Sequence, residues 1–171
     1  MSVTTINLQK KIPIDSERLI RHAKIALSSV KKSKSDLSIV IVNDRRMRSL
    51  NKIYRNNSKT TDVLSFNAEI PLPPGVENPL LGEIVISAPK ALIQANERQI
   101  DLSDELTNLA IHGICHLLGY DHELGEQESR EMKSAEKKIA EAIRRKDHAL
   151  SAPKAITGKI PEESEQRKSK T

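Results

Sequence analysis

The stretch AIHGICHLLGYDHE, residues 110–123, contains three of the chain's five histidines. His112 and His116 are four residues apart, so on an α-helix they lie on the same side, one turn from each other. Gly119 is placed as a helix stop, and a turn through residues 119–121 could return His122 to the same point. The spacing therefore predicts two imidazole ligands from a helix and a third from the turn that ends it.

Three protein ligands without a fourth is the layout of catalytic zinc sites, whereas structural sites usually close with four ligands, mostly cysteines. The open position would hold a water molecule, whose pKa zinc lowers to roughly 7. Two histidines at this spacing are often ordinary surface residues, but the third one after a glycine favours a metal. Iron, nickel and manganese also accept imidazoles. We take one Zn²⁺ per chain as the prediction.

The neighbours of these histidines narrow the chemistry. In zinc peptidases with the motif His-Glu-x-x-His, the Glu is the general base, and here that position is Gly113. Cys115 lies about 100° around the helix from His116, which favours a small buried residue over a fourth ligand. His22 and His148 are predicted to be bystanders, the first in an amphipathic helix and the second at the start of a tail.

The elements that must position the histidines follow from hydrophobic periodicity. Strands are predicted at residues 3–8, 36–43, 60–70 and 82–88. Helices are predicted at residues 14–33, 44–55, 89–99, 103–118 and about 125–145. Ser103 is the expected cap of the fourth helix. Because there is no strict βαβ alternation, we predict an α+β fold: a small mixed β-sheet with packed helices, and a metal site on a central helix and the turn after it.

The domain organisation follows from the same pattern. Residues 1–146 are predicted to form a single catalytic domain. Residues 147–171 lose all periodicity and are rich in Pro, Ser, Lys and Glu, so they are predicted to be a disordered charged tail. Residues 71–80 are predicted to form a proline-rich surface loop.

Composition limits the partners. The formal net charge of +5 favours acidic partners, with nucleic acid first. With two Tyr, one Phe and no Trp, base-by-base stacking is unlikely, so contacts to phosphates and shape are expected. The single cysteine excludes an internal disulfide and fits a reducing cytoplasm. Without a long apolar run, no signal peptide or membrane span is expected.

Three segments in order resemble the YbeY family of metal-dependent endoribonucleases. HGICHLLGYDH matches the family signature His-Gly-x-x-His-Leu-x-Gly-Tyr-Asp-His. LNKIYRNNSKTTDVLSF, residues 50–66, and LGEIVIS, residues 81–87, are similar to two further family segments. The resemblance runs from about residue 36 to 145. Two departures are Cys115, where a larger aliphatic residue is usual, and Glu83, where Asp is frequent.

The resemblance implies a cytoplasmic bacterial endoribonuclease that acts on single-stranded RNA. It implies a role in maturation of the 3′ end of the small-subunit (16S) ribosomal RNA and in ribosome quality control. The implied partners are ribosomal RNA and the ribosome or its assembly factors, with no DNA and no membrane. It also implies one zinc ion held by His112, His116 and His122, and a catalytic arginine at Arg55.

Without the resemblance, Arg55 would be taken for a solvated residue at a helix end. RNA cleavage builds negative charge on non-bridging oxygens, and a guanidinium fork matches two such oxygens. The same helix has a basic side that could follow an RNA backbone, although charge runs are usually just solvated faces; it comprises Arg45, Arg46, Arg48 and Lys52.

Two rival functions remain open at this level. One is a metal-dependent peptidase or other hydrolase, which the histidine pair supports and Gly113 opposes. The other is a non-enzymatic ribosome assembly factor in which the metal only braces the fold and the basic surface binds RNA.

Overall fold

The β-sheet is the frame on which the other elements are placed. In a computed structural model, which describes residues 1–68 and 79–151, the strands are β1 (Val3–Asn7), β2 (Asp36–Val42), β3 (Val63–Asn67) and β4 (Leu80–Ser87). Their order in the sheet is β1-β2-β4-β3. The first three strands in that order are parallel, and β3 pairs antiparallel with β4 along one edge. The predicted small mixed sheet is therefore confirmed.

Five helices surround the sheet: α1 (Ser16–Ser29), α2 (Asp44–Arg55), α3 (Ala88–Arg98), α4 (Leu102–Leu117) and α5 (Glu126–Ser151). Three of these helices have an N-cap residue whose side chain accepts a backbone hydrogen bond. Asp15 accepts a hydrogen bond from the Arg18 N–H, Asn43 from the Arg46 N–H and Ser87 from the Lys90 N–H. Each cap satisfies one of the donors left free in a first turn.

The two faces of the sheet pack on different elements because side chains alternate along each strand. Ile39, Ile41, Ile84 and Ile86 pack on one face with apolar residues of α1, α3, α4 and α5. Val40, Val42, Leu64 and Val85 point to the other face, where Met47 of α2 covers them. The sheet therefore separates α4, which carries the histidine pair, from α2, which carries Arg55. Both helices lie next to its β3 edge.

The structure corrects the predicted start of α4 and extends the predicted end of α5. Asp101, not Ser103, is the N-cap of α4, and it makes no side-chain cap bond. Ser103 lies inside the helix, where its carbonyl accepts the Thr107 hydroxyl at 2.9 Å. Helix α5 continues to Ser151, six residues past Arg145. The predicted division at residue 146 stays a prediction, since residues 152–171 and most of the predicted loop at 71–80 lie outside the described residues.

A buried polar contact holds the last turns of α5. His22 of α1 is buried; its Nδ1 lies 2.8 Å from the Thr107 hydroxyl, and its Nε2 lies 2.6 Å from an Asp147 carboxylate oxygen. These contacts join α1, α4 and α5. They explain why α5 continues beyond the last residue of its apolar stripe. Among the helices of residues 1–68 and 79–151, none has the length and apolar character needed to cross a bilayer.

We expect Asp147→Asn to lower the free energy of unfolding at pH 7 by about 0.5–1.5 kcal/mol, the usual net contribution of an intramolecular hydrogen bond. Partial burial alone would raise the pKa of Asp147, but its bonds and charge interactions with His22 and Arg21 outweigh burial and lower it. The contribution is therefore present above the unfolded carboxyl pKa and is lost as pH falls through the folded pKa.

Urea unfolding of both proteins at pH 7 and at about pH 2, below the usual aspartate pKa of about 3.9, measures this effect. The difference between them should narrow at the lower pH. Glu97→Gln, at an exposed position of α3, is the charge-matched control and should change little. An Asp147→Asn protein as stable as the parent at pH 7 would contradict the assignment.

Candidate metal centre

Close packing at Gly113 fixes the orientation of α4. A Cβ atom at this position would come within 2.8 Å of two carbon atoms of the Ile84 side chain, and both residues are buried. The helix therefore approaches β4 more closely than a side chain at position 113 allows. His112 and His116 lie on a neighbouring side of the helix and are only half-buried.

The turn after α4 brings the third histidine back, as its sequence predicts. Gly119 has φ +92°, a left-handed conformation that favours glycine. Its N–H donates to the His116 carbonyl at 2.9 Å, and the Tyr120 N–H donates to the Cys115 carbonyl at 3.1 Å. This pair of bonds is a Schellman motif, which satisfies the last carbonyls of the helix and reverses the chain. His122 follows two residues later.

The three imidazoles converge on one point. The Nε2 atoms of His112 and His116 are 3.1 Å apart, and one ligand atom from each of the three rings lies within 4.8 Å of the others. The ring of His122 is 5.3 Å, centroid to centroid, from each of the other two rings. Zinc–nitrogen bonds of about 2.0–2.1 Å in a tetrahedron place ligand atoms about 3.3 Å apart. The histidines could therefore hold one metal ion, and the donor set suits zinc.

Glu136 of α5 orients the first histidine. Its Oε1 atom lies 2.7 Å from Nδ1 of His112. A carboxylate at Nδ1 favours the tautomer with hydrogen on that nitrogen, which leaves the lone pair of Nε2 facing His116. Carboxylates behind metal-bound histidines commonly have this role. The centre is thus built from α4, the turn after it, and α5.

The protonation state of His116 also suits metal binding. Burial lowers the pKa of His116, and the charges of His112, His122 and Arg55 lower it further, against an opposing effect of Asp121. His116 is therefore neutral near pH 7 and can donate a lone pair. Arg55, the last residue of α2, has an exposed side chain, and its positive charge is one of the causes that lower the pKa of His116.

The other predicted bystanders lie apart from this cluster. His22 is buried against Thr107 and Asp147, and His148 lies in the last turns of α5. Cys115 is buried, as predicted. Burial, followed by the charge of Glu136, raises the pKa of its thiol to about 12, so the thiolate form needed for metal binding is not populated near neutrality.

Sequence reasoning missed Glu136, although a signal was present. Position 136 is four residues after Met132, three before Ile139 and seven before Ile143, all of which are buried. A carboxylate at helical spacing within an apolar stripe needs a polar partner. The sequence does not show which residue that partner is, because His112 is 24 residues away in the chain.

These features define an α+β protein with a candidate three-histidine metal centre at the end of its central helix. Comparison with known proteins gives the family. Residues 4–144 match the family described as Endoribonuclease YbeY. The chain belongs to the YbeY family.

Individual proteins similar to this chain support the same family assignment. A protein of Thermodesulfovibrio yellowstonii named Endoribonuclease YbeY is 36% identical over 153 residues, covering 81% of this chain and 95% of the relative. One of the same name from Geobacter metallireducens is 38% identical, covering 85% and 97%. The solution structure of a Thermotoga maritima protein is similar, with a TM-score of 0.58 and 26% identity, covering 92% of this chain and 99% of that one. Family membership supports an endoribonuclease role.

We expect Gly113→Ala to destabilise the protein by about 1–3 kcal/mol, the usual cost of overpacking a core, because the added methyl group meets Ile84. Ile84→Val alone should cost about 0.5–1.5 kcal/mol. The double variant should lose less stability than the sum of the losses in the two single variants, since the smaller valine side chain makes room for the added methyl group. Chemical denaturation of the four proteins measures the coupling. Strictly additive costs would show that the contact does not limit the packing.

We expect Glu136→Gln to weaken metal affinity about 10- to 100-fold, the usual effect of losing a carboxylate behind a histidine ligand. Competition with a chromophoric zinc chelator measures the dissociation constant. Glu131→Gln, at an exposed position of the same helix, is the matched control and should bind metal like the parent. Unchanged zinc affinity in Glu136→Gln would contradict the proposal that Glu136 orients His112 for metal binding.

Proposed function

We propose that this chain is a zinc-dependent endoribonuclease that cleaves single-stranded ribosomal RNA. In this proposal it acts in the cytoplasm, in maturation of the 16S RNA 3′ end and in ribosome quality control, with the ribosome or its assembly factors as partners. The observation that carries the proposal is the convergence of His112, His116 and His122 in a member of a family of endoribonucleases. The positive charge of Arg55, which lowers the pKa of His116, supports it.

Each residue has a defined task. The three histidines hold the ion, and Glu136 fixes the orientation of His112. When bound, zinc supplies a Lewis acid for charge that develops on the phosphate. Arg55 offers a planar pair of donors that matches two phosphate oxygens. Charge that builds on the scissile phosphate in the transition state is then stabilised from two sides.

The exposed side of α2 supports an RNA substrate. Its basic side chains are all exposed, while Met47 and Asn51 form its buried side; these basic residues are Arg45, Arg46, Arg48, Lys52 and Arg55. A row of cations that ends at Arg55 would lead a polyanion towards the histidines.

A peptidase is the weaker alternative for a physical reason. The position that carries the general base in His-Glu-x-x-His peptidases is Gly113, and it packs on Ile84 within the core. A glutamate there would have no room and would face away from the histidines. The assembly-factor alternative uses the same basic helix, so cleavage assays rather than binding assays must separate it from an enzyme.

We expect His116→Ala to lose both zinc and RNA cleavage, and Arg55→Glu to keep zinc while cleavage falls at least 100-fold, as when an oxyanion-stabilising donor is removed. Elemental analysis measures zinc, and digestion of a labelled single-stranded precursor of ribosomal RNA measures activity. Arg46→Glu, the same charge reversal on the same helix, should lose far less activity.

Chelation provides the second arm of the test. Removal of zinc should abolish cleavage, and its return should restore it. Full nuclease activity in metal-free protein would overturn the proposal. Rescue of ribosomal RNA processing in cells by folded His116→Ala protein would favour the assembly factor.

A further inference from the structure

Two of the chain's three aromatic side chains meet at the end of α2. The rings of Tyr54 and Phe66 are 4.8 Å apart, centroid to centroid, with an interplanar angle of 61°. Phe66 is half-buried and packs on the cluster formed by Val40, Val42, Met47, Leu64 and Val85. Tyr54 remains 62% exposed. One ring is therefore anchored in the core and supports a second ring that faces solvent.

The aromatic pair and the candidate metal centre are linked through the β3 edge of the sheet, although they lie on opposite faces of it. Tyr54 precedes Arg55, whose charge reaches His116. Ser65, next to Phe66 on β3, donates its hydroxyl to the Gly113 carbonyl at 3.3 Å. A Cβ atom at Gly82 would collide with both the Phe66 carbonyl oxygen and the Leu117 side chain at the end of α4, so these two groups approach each other at Gly82. The rings therefore lie on the α2 face of the β3 edge, and the histidines lie on the α4 face of the same edge.

The charged residues around the Tyr54–Phe66 pair indicate which kind of ligand could bind there. Helix α2 contains five basic residues and one acidic residue, Asp44. The Asp44 carboxylate accepts hydrogen bonds from Ser87 at 2.7 Å and Thr60 at 3.3 Å, so it faces those hydroxyls. Lys59 adds another exposed cation after the helix. An exposed aromatic ring among cations suits a ligand with flat rings and negative charge, which describes a nucleic acid strand.

Tyr54 packs on Phe66 and still leaves 62% of its surface exposed, so most of its ring is accessible to a ligand. Ile53, the preceding residue, is 71% exposed, so the end of α2 presents apolar surface to solvent within a basic region. A protein partner would not require so strong an excess of one charge.

We propose that Tyr54, supported by Phe66, is a stacking site for one unpaired base of the RNA strand whose phosphate contacts Arg55. This inference rests on the proposed function and deepens it. A base can stack on Tyr54 only when it is turned out of a duplex, so the site gives a physical reason for selecting single strands. It also revises the expectation from composition, because few aromatics suffice when two of them meet at the substrate path.

Binding of a short, labelled single-stranded RNA, measured by fluorescence anisotropy with metal-free protein, tests the stacking site apart from cleavage. We expect Tyr54→Ala and Tyr54→Leu to weaken binding about tenfold, the usual effect of losing one base–aromatic stack. Tyr54→Phe and Tyr54→Trp should bind like the parent. Ile53→Ala, which removes the adjacent exposed apolar side chain, should change binding less than twofold. Tyr54→Leu keeps an apolar cover over Phe66, and thermal unfolding verifies that each variant is folded.

A direct signature is available because the chain has no tryptophan. In Tyr54→Trp the single indole should lose fluorescence when single-stranded RNA stacks on it. Duplex RNA of the same sequence and inorganic polyphosphate should cause little quenching, since neither offers an unpaired base.

The outcomes separate the stacking site from the proposed function. Quenching in Tyr54→Trp and weaker binding in Tyr54→Ala, together with no cleavage by the zinc-loaded parent protein, would support the stacking site and overturn the nuclease. Cleavage with unchanged binding in Tyr54→Ala and no quenching in Tyr54→Trp would overturn the stacking site and leave the nuclease intact. Equal quenching by duplex RNA would also overturn it.

Discussion

The close contact between Gly113 and Ile84 is the constraint on which the rest of the site depends. It sets the distance and rotation of α4 on the sheet, and so decides where the half-buried histidines lie. The carbonyl of the same glycine accepts a hydrogen bond from Ser65, which ties strand β3 to α4. A side chain at position 113 would displace the helix and the edge strand together. Glycine is costly in a helix interior, and here the cost is offset by this packing.

The candidate centre is assembled from elements that are held together independently of any ion. The Schellman motif places the turn, Glu136 links α5 to His112, and the His22–Asp147 pair secures the far end of α5. Ligands that are already oriented lose less conformational entropy when they bind a metal. His122 is exposed, whereas the other two histidines are half-buried. The side of the centre formed by the turn is therefore its most open side.

The parts of the structure that could be predicted from the sequence are those encoded locally. Helix α2 begins and ends where its periodicity predicts, and the histidine cluster spans only eleven residues with a glycine stop inside it. The end of α5 was predicted wrongly because a contact with another element decides it: Asp147 is held by a histidine 125 residues away. The predicted cap of α4 was also wrong, since Asp101 makes no side-chain cap bond that a sequence pattern could identify. The position of Arg55 relative to the histidines depends on how α2 and α4 are placed on opposite faces of the sheet, which no local pattern contains. Family resemblance supplied that residue. The metal ligands, the ion and the boundary at residue 146 stay predictions.

The residue after the first histidine also bears on the type of reaction. Peptide hydrolysis needs a base to activate water, and the packing of Gly113 removes the position from which helix-borne histidine sites usually supply it. RNA cleavage also requires an acceptor for the proton of its nucleophile, but that acceptor need not occupy the helix position after the first histidine, and stabilising the charge on phosphate oxygens is a large part of the task. A centre with three imidazoles, a nearby guanidinium and a basic approach supplies charge stabilisation and positioning. The tight packing that excludes a glutamate therefore favours phosphoester over peptide chemistry.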